Sequence, residues 1–501
     1  MNYGIWIENG STNGNKIGGG FETSPGTDYY LKSNAKYNDG KSHYAVLTYD
    51  GSVLRLYIDG VQVASKSTTA IPDTTGTQPL RIGANSLVAD RYFTGEIAGV
   101  NVISTILTAS EVNSQYLSAT SGSGGYIIPT IAGVKPTKVT YGSTVNTVCS
   151  SGCTHTTIKA AIDGLPAAGG KVVLKAPKTF TLSTTTYLRS NLVLEFQTGA
   201  TISYTGAGPA IYGRNINNVM LINPVITTSY PAHVLYFEIV DTIIIQGGKI
   251  TGEKGSVSAG FKCNNCKNVV VQNGSYSNFS RPIDVGTIKP ASCDTQICKL
   301  TGDTRNVWLV SNTISNSAIE CVHFNYGYDM HAIGNTIQNC VGNGLDIGFN
   351  SGVEAKNNKI TNAGWGTDDR GVGLHTDSST TVVVTGNTIS HSGTNGIGVC
   401  GSDKNYIIAN TITYSGDVVT NTLFPGYGTG INVIDCTGGT FKAENTIIDQ
   451  NTVTNSNDGY GVYVSNTSKP SQITNNVLLN NEKGAYRDDS NSAVISGNTV
   501  S

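Results

Sequence analysis

The chain has 501 residues, only 13% of them charged, with a formal net charge of −2. That length exceeds one ordinary core and implies two or three units or a solenoid. The low charge without a basic stripe excludes a nucleic-acid partner, and no apolar run is long enough to span a membrane.

The 60 glycines, with abundant Asn, Thr, Ser and Val, predict an all-β protein with many turns. No export signal is visible at Met1, and strand-like text begins at once with Tyr3-Gly-Ile-Trp-Ile7. The expectation is a piece whose export signal, with part of its first domain, lies upstream. Residues 1–118 form the first predicted unit. His43–Asp50 and Leu54–Asp59 alternate as strands around Asp50-Gly51, and Asp59-Gly60 turns the chain into Val61–Ala64. Leu80–Gly83 and Gly95–Val102 are further expected strands, and Leu107–Val112 a short helical turn. Residues 119–125 are a linker by composition, and strand-like text resumes at Tyr126. Thr157–Leu165 is predicted as an amphipathic helix that feeds the strand Gly169–Leu174 and covers the first coil.

An Asn-x-(Ile/Val) triplet begins at Asn312, Asn335, Asn358, Asn387, Asn410, Asn451, Asn475 and Asn498, at intervals of 23, 23, 29, 23, 41, 24 and 23. A period near 23 predicts a solenoid with one coil per repeat. The longer intervals mark insertions near Trp365–Arg370 and Asp417–Tyr427. The ten cysteines fall in local pairs: Cys149–Cys153, Cys263–Cys266, Cys293–Cys298, Cys321–Cys340 and Cys400–Cys436. Such pairs read as disulfides formed in an oxidising compartment; a zinc site at Cys263/Cys266 is the alternative.

Two resemblances follow from these segments. "HYAVLTYDG", "LRLYIDGVQV" and "LTASEV" resemble laminin-G-like, concanavalin A-like sandwich domains, which bind glycans or space other modules. "TIKAAIDGLPAAGGKVVL" with the repeat resembles pectate-lyase-like domains. That resemblance implies a right-handed parallel β-helix over 126–501 and an acidic polysaccharide as partner; with the paired cysteines, a secreted or surface location is expected, and the protein is expected to be a monomer.

Alternation within the repeat predicts where outward chemistry lies. Ile319, Leu345, Val372, Ile397 and Ile431 are expected inside, and Glu320, Asp346, Gly373, Gly398 and Asn432 outside. Extended upstream, the outer column gains Asp284 and Lys262. Stacked carboxylates need a cation, a shared proton or splaying, so Asp284, Glu320 and Asp346 are candidates for acid–base chemistry or for calcium. A second group is Asp368, Asp369 and Arg370, with His375 and Asp377 just beyond; Arg370 could clamp a sugar carboxylate. The third is Tyr326-Gly-Tyr-Asp-Met-His331, with His323 before it. It resembles the Tyr-Gly-Phe-Asp-Pro-His motif of mannuronan C5-epimerases, and implies Tyr326 as acid/base, His331 as its partner, Asp329 as a shaping carboxylate and Arg370 as the carboxylate-binding residue. Met330, Ala332 and Ser351 depart from that family's pattern. "NGLDIG", "GTDDRGVGL" and "NGIGV" resemble the rungs of polygalacturonase-type hydrolases, with Asp368 and Asp369 near the paired Asp. Asn343 and Asn395 replace that family's first Asp and its His.

The expected function is a polysaccharide lyase acting by β-elimination on a uronate, with Tyr326, His331, His375 or Lys262 as base. Epimerisation shares its first half-reaction. Hydrolysis would use Asp346 with Asp368 or Asp369, and a non-catalytic adhesin or tail-spike-like binder is the other class.

Overall fold

The computed structural model describes residues 3–501 except 9–13, 25, 42, 76–80, 85–91, 95–96, 98–99, 101, 103–105, 121–125, 127, 255–257, 288–303, 365–370, 418–427, 436–441 and 470–471. The chain divides into two units, Met1–Thr130 and Ile131–Ser501.

In the first unit Tyr3–Ile7, Ile17–Thr23 and Thr27–Lys32 form one antiparallel sheet, and Ala45–Tyr49, Val53–Ile58 and Val61–Ser67 another. The predicted hairpins are present. Asp50 Oδ1 accepts from the amides of Ser52 and Val53 at 2.8 and 2.7 Å, and Asp59-Gly60 turns with φ of 51° and 78° at the two residues. Ile17, Phe21, Leu31, Leu54, Leu56 and Ile58 make the core. Two expectations change. Arg81–Gly83 is not a strand, and Ala84 makes only an isolated bridge to Tyr92. The terminal helical turn is a full helix, Ala109–Thr120. Thr108 and Glu111 form a reciprocal cap that starts it, with Thr108 N–H donating to Glu111 Oε2 at 2.8 Å. The predicted strand Gly95–Val102 lies largely outside the described residues.

The second unit is a parallel solenoid. Among the described residues each coil adds one strand to a twelve-stranded, a fourteen-stranded and a thirteen-stranded sheet, called here the groove, back and third sheets. Strand-like text at Tyr126 does not become a strand; the first is Val145–Val148. Residues 131–139 instead run over the back sheet. Val139 packs on Val193, Ile244 and Val270, and Val134 C=O accepts from Asn306 Nδ2 at 2.9 Å. The cap helix spans Ile158–Asp163, with Thr157 as N-cap, and turns Ile158, Ala161 and Ile162 into the core.

One apolar row per sheet fills the interior. Leu345, Ile347, Val353, Ala355 and Ile360 of a single coil are fully buried. Asparagine supplies the corners. Asn316, Asn339 and Asn362 take φ of 59°, 57° and 55°, a conformation that costs Asn little. Between the back and third sheets a buried ladder runs through Asn312, Asn335, Asn358, Asn387, Asn410, Asn451, Asn476 and Asn498. Asn475, which opens the triplet in this coil, is not the ladder residue; its neighbour Asn476 is. Asn475 is instead a corner residue with φ of 53°.

Disulfides join Cys149–Cys153, Cys263–Cys266 and Cys321–Cys340, which removes the zinc alternative. Cys400 is also disulfide-bonded; Cys436, Cys293 and Cys298 lie outside the described residues. The bonds fit an extracytoplasmic, oxidising compartment. No helix among the described residues is long and apolar enough to cross a membrane.

Candidate active site

On the groove sheet one outward position of each strand falls in a single register. Reading down it, the residues are Tyr187, Tyr212, Tyr236, Lys262, Asp284, His323, Asp346, His375, Gly398, Asn432, Tyr463 and Arg487. Two positions differ from expectation. His323, not Glu320, stands between Asp284 and Asp346, and His375, not Gly373, follows Asp346. The inward partners are Val322 and Leu374, both fully buried, while Ile319 and Glu320 belong to the preceding turn. The intervals of 23 and 29 residues that separate the ladder asparagines also separate Val322 from Leu345 and Leu345 from Leu374. That spacing was the sequence signal for the correct register.

The correction changes the electrostatics. The centre of the column is not a stack of carboxylates but alternates in sign. Lys262 Nζ donates to Asp284 Oδ2 at 2.7 Å. His323 Nδ1 is 2.9 Å from Asp284 Oδ1, and its Nε2 lies 3.8 Å from Asp346 Oδ2. His375 Nδ1 is 2.8 Å from Asp346 Oδ1. Asn343 Nδ2 donates to the same oxygen at 2.9 Å, and its own Oδ1 accepts from Val372 N–H. Glu320 turns aside to pair with Arg281 at 2.5 Å. Each carboxylate is thus occupied by a basic partner. Among the described residues no group of three acidic, His or Cys side chains is arranged to hold a metal ion, so Asp284, Glu320 and Asp346 do not converge as a calcium site.

Burial pushes the two aspartates up, but the facing imidazoles outweigh it and hold both below the ordinary carboxylate range. For the histidines burial opposes the charge. The Asp284 hydrogen bond and the Asp346 field raise His323 above its ordinary value, and Asp346 does the same for His375. His375 donates Nδ1–H to Asp346, which fixes the tautomer and directs Nε2 away from the sheet. That Nε2 has no partner among the described residues, and the side chain is 23% exposed. Gly398 gives the ring its place: a Cβ there would lie 3.3 Å from His375 Cδ2. Half-buried His233, beside Lys262, is pushed down to about 4 by burial first and that charge second.

The other candidates fall elsewhere. His331 points outward from the back sheet, in register with Trp308 and Glu354. It is 1% exposed, stacks on Trp308 at 3.7 Å, and is held by Glu354 Oε2 and Ala132 C=O at 3.0 Å each. Residues 131–139 cover it, so it does not reach the groove. Tyr326 sits at the corner between the two sheets, stacked on Phe349. Asp329 follows on the back sheet, where burial raises its pKa. The Tyr326–His331 segment therefore does not gather into one site. Asp377 occupies the next outward row of the groove sheet, beside Gly348 and Cys400. Asn432 is 4% exposed, with Oδ1 unpartnered among the described residues. Asp368, Asp369 and Arg370 lie outside the described residues. The described residues on either side, Gly364 and Gly371, abut each other. The tyrosines Tyr187, Tyr212 and Tyr236 were not anticipated. Their signal was the Ile211-Tyr and Leu235-Tyr alternation, the same rung carried upstream.

A family model described as the concanavalin A-like lectin/glucanases superfamily matches residues 2–113. One described as a right handed beta helix region matches residues 366–501. No curated protein matches the chain. Among solved structures it is similar to a mannuronan C-5 epimerase A-module of Azotobacter vinelandii, 13% identical, covering 68% of this chain and 91% of that one with a TM-score of 0.37. It is also similar to the catalytic unit of an α-1,3-glucanase from Streptomyces thermodiastaticus (13% identical, 68% and 65% covered, TM-score 0.43). A third is the receptor binding domain of a siphovirus 9NA tailspike (10% identical, 68% and 74% covered, TM-score 0.43).

The chain is all-β, a right-handed parallel β-helix preceded by a concanavalin A-like domain.

Proposed function

We propose that the protein is a secreted polysaccharide-active enzyme that cleaves a uronate-containing chain by β-elimination on the groove sheet. One observation carries the reading: an imidazole, His375, is held through Nδ1 by a half-buried carboxylate, and its side chain stays partly exposed on the outward face of the sheet. That arrangement suits proton abstraction from carbon. His375 Nε2 takes the proton from C5, next to the uronate carboxylate. The C–H electron pair becomes the C4–C5 double bond, the C4–O4 bond breaks, and O4 leaves with a proton. His375 can return that proton itself when base and leaving group share a face of the sugar. The two aspartates beside His323 raise its pKa against the effect of burial, and its charged form at the centre favours a uronate. Hydrolysis fits less well, because it requires a carboxylic acid with a raised pKa and both groove aspartates are held low.

The test is a panel of polyuronates followed by ultraviolet absorbance and by reducing ends. Absorbance rising with reducing ends supports elimination, whereas reducing ends without absorbance would reject it. The pH profile gives a second expectation. A base must be unprotonated, so kcat/KM rises as pH passes upward through the pKa of His375. Asp346 raises that pKa, which places the midpoint above the ordinary value of about 6.5. Asp346→Asn removes the raising charge and shifts the limb to lower pH, with a rate loss of roughly 10²-fold or more. An unmoved limb would assign the base elsewhere.

A further inference from the structure

Upstream of the charged centre the column changes character. Tyr187, Tyr212 and Tyr236 stand on three adjacent groove strands, and Lys262 on the next. Their ring centroids are 5.8 and 5.4 Å apart, and Tyr187 is 67% exposed. Two of the rings are fixed at their polar ends by one carboxylate. Tyr212 Oη donates to Glu238 Oε2, and Tyr236 Oη to Glu238 Oε1 at 2.8 Å. Asn264 Nδ2 in turn donates to Tyr236 Oη at 3.1 Å. Rings held in this way offer apolar surface without the cost of ordering them on binding.

We infer that this tyrosine tier is a distal subsite for uncharged pyranose units, so that the substrate is a heteropolysaccharide carrying neutral sugars beside its uronate. The inference rests on the proposed function in taking the groove sheet as the track of the polysaccharide. The ring faces receive the apolar C–H face of a sugar, and Glu238 accepts from sugar hydroxyls at the edge. Burial pushes the Glu238 carboxyl up, but the two tyrosine hydroxyls outweigh it and hold it below its ordinary value; its neighbouring cations are engaged, Arg214 facing it at 4.0 Å and Lys262 paired with Asp284. A uronate carboxylate here would meet a like charge, whereas a neutral sugar does not. The tier is continuous with the reaction centre. Five strand spacings, roughly 24 Å, separate Tyr236 from His375, far enough that the two ends of the groove bind different units of one chain.

Affinity electrophoresis of the full chain in native gels tests this without turnover. The gels contain galactomannan, xyloglucan or arabinogalactan, and in parallel polygalacturonate or alginate. At least one neutral polysaccharide is expected to retard the protein. Tyr187→Ala and Tyr212→Ala each weaken that retardation roughly tenfold, the loss of one stacked ring. His375→Ala, which removes the proposed base, binds the neutral polymer like the wild type. Retardation by polyuronates alone, by none of the gels, or equally in the tyrosine variants overturns the tier. Neutral-sugar binding that depends on the tyrosines, with no elimination from any polyuronate, overturns the lyase reading and leaves the tier standing.

Discussion

His375→Ala is expected to lower kcat on the productive polyuronate by roughly 10²–10⁴-fold, the usual contribution of a positioned general base. KM should change far less, because the imidazole contributes to the transition state more than to the bound ground state. The fold should survive. The His375 side chain is partly exposed, so its truncation opens no closed cavity in the core. Asp346 would keep Asn343 Nδ2 as a donor but lose the His375 imidazole, a modest cost at a partly exposed site. The measurement is steady-state kinetics on purified variants, with the thermal midpoint as a check on folding. His331→Ala is the informative contrast. That histidine lies under residues 131–139 of the back sheet, between Trp308, Glu354 and Ala132 C=O. Its loss should lower the melting midpoint and leave kcat per folded molecule near the wild-type value. A kcat retained in His375→Ala, or abolished in folded His331→Ala, would move the chemistry to the back sheet.

The second large effect concerns stability. In the asparagine ladder Asn387 Oδ1 accepts from Asn358 N–H at 2.9 Å and from Asn358 Nδ2 at 3.0 Å. Its own Nδ2 donates to Ala355 C=O and Asn410 Oδ1 at 2.8 and 2.9 Å. The residue is 1% exposed, so no water replaces what a truncation removes. Asn387→Ala orphans the Asn358 amide and the Ala355 carbonyl and leaves a gap between coils. At about 1–3 kcal/mol for a stranded buried group, a loss of about 2–4 kcal/mol is expected. That should appear as a thermal midpoint lower by roughly 3–8 °C. Asn339→Gly is the control. Asn339 is exposed at a corner with φ of 57°, a conformation glycine adopts freely, so its replacement should stay within about 0.5 kcal/mol. Equal losses at the two positions would mean that the ladder adds nothing beyond the corner geometry.

The repeat, the cap helix and the three described disulfides were legible in the residues because each depends on local spacing. A coil that cannot bury its own apolar row must recur at a near-constant length, and the triplet at Asn312, Asn335 and Asn358 records that length directly. Sign and register were not local. Val372-Gly-Leu-His offers either Val372 or Leu374 as the inward partner of Leu345, since a shift of two residues leaves alternation intact, and only the interval between coils separates them. Only the pairing of Leu374 with Leu345 puts His375 on Asp346. Ile319 alternates as plausibly as Val322, but Cys321 is tied to Cys340 at the turn, and the strand begins after it. Asn475 and Asn476 are adjacent and chemically identical; only the stacked coils decide which of them turns into the ladder. His331 reads in sequence as part of a catalytic motif, and its removal from the groove depends on which sheet its strand joins and on residues some two hundred positions earlier that cover it. Composition and periodicity thus determined that the chain is a solenoid with one polar side chain per strand facing out. Stacking the coils decided which of those side chains are neighbours, because chemistry on a β-helix is made between strands that sequence separates by 20 to 40 residues.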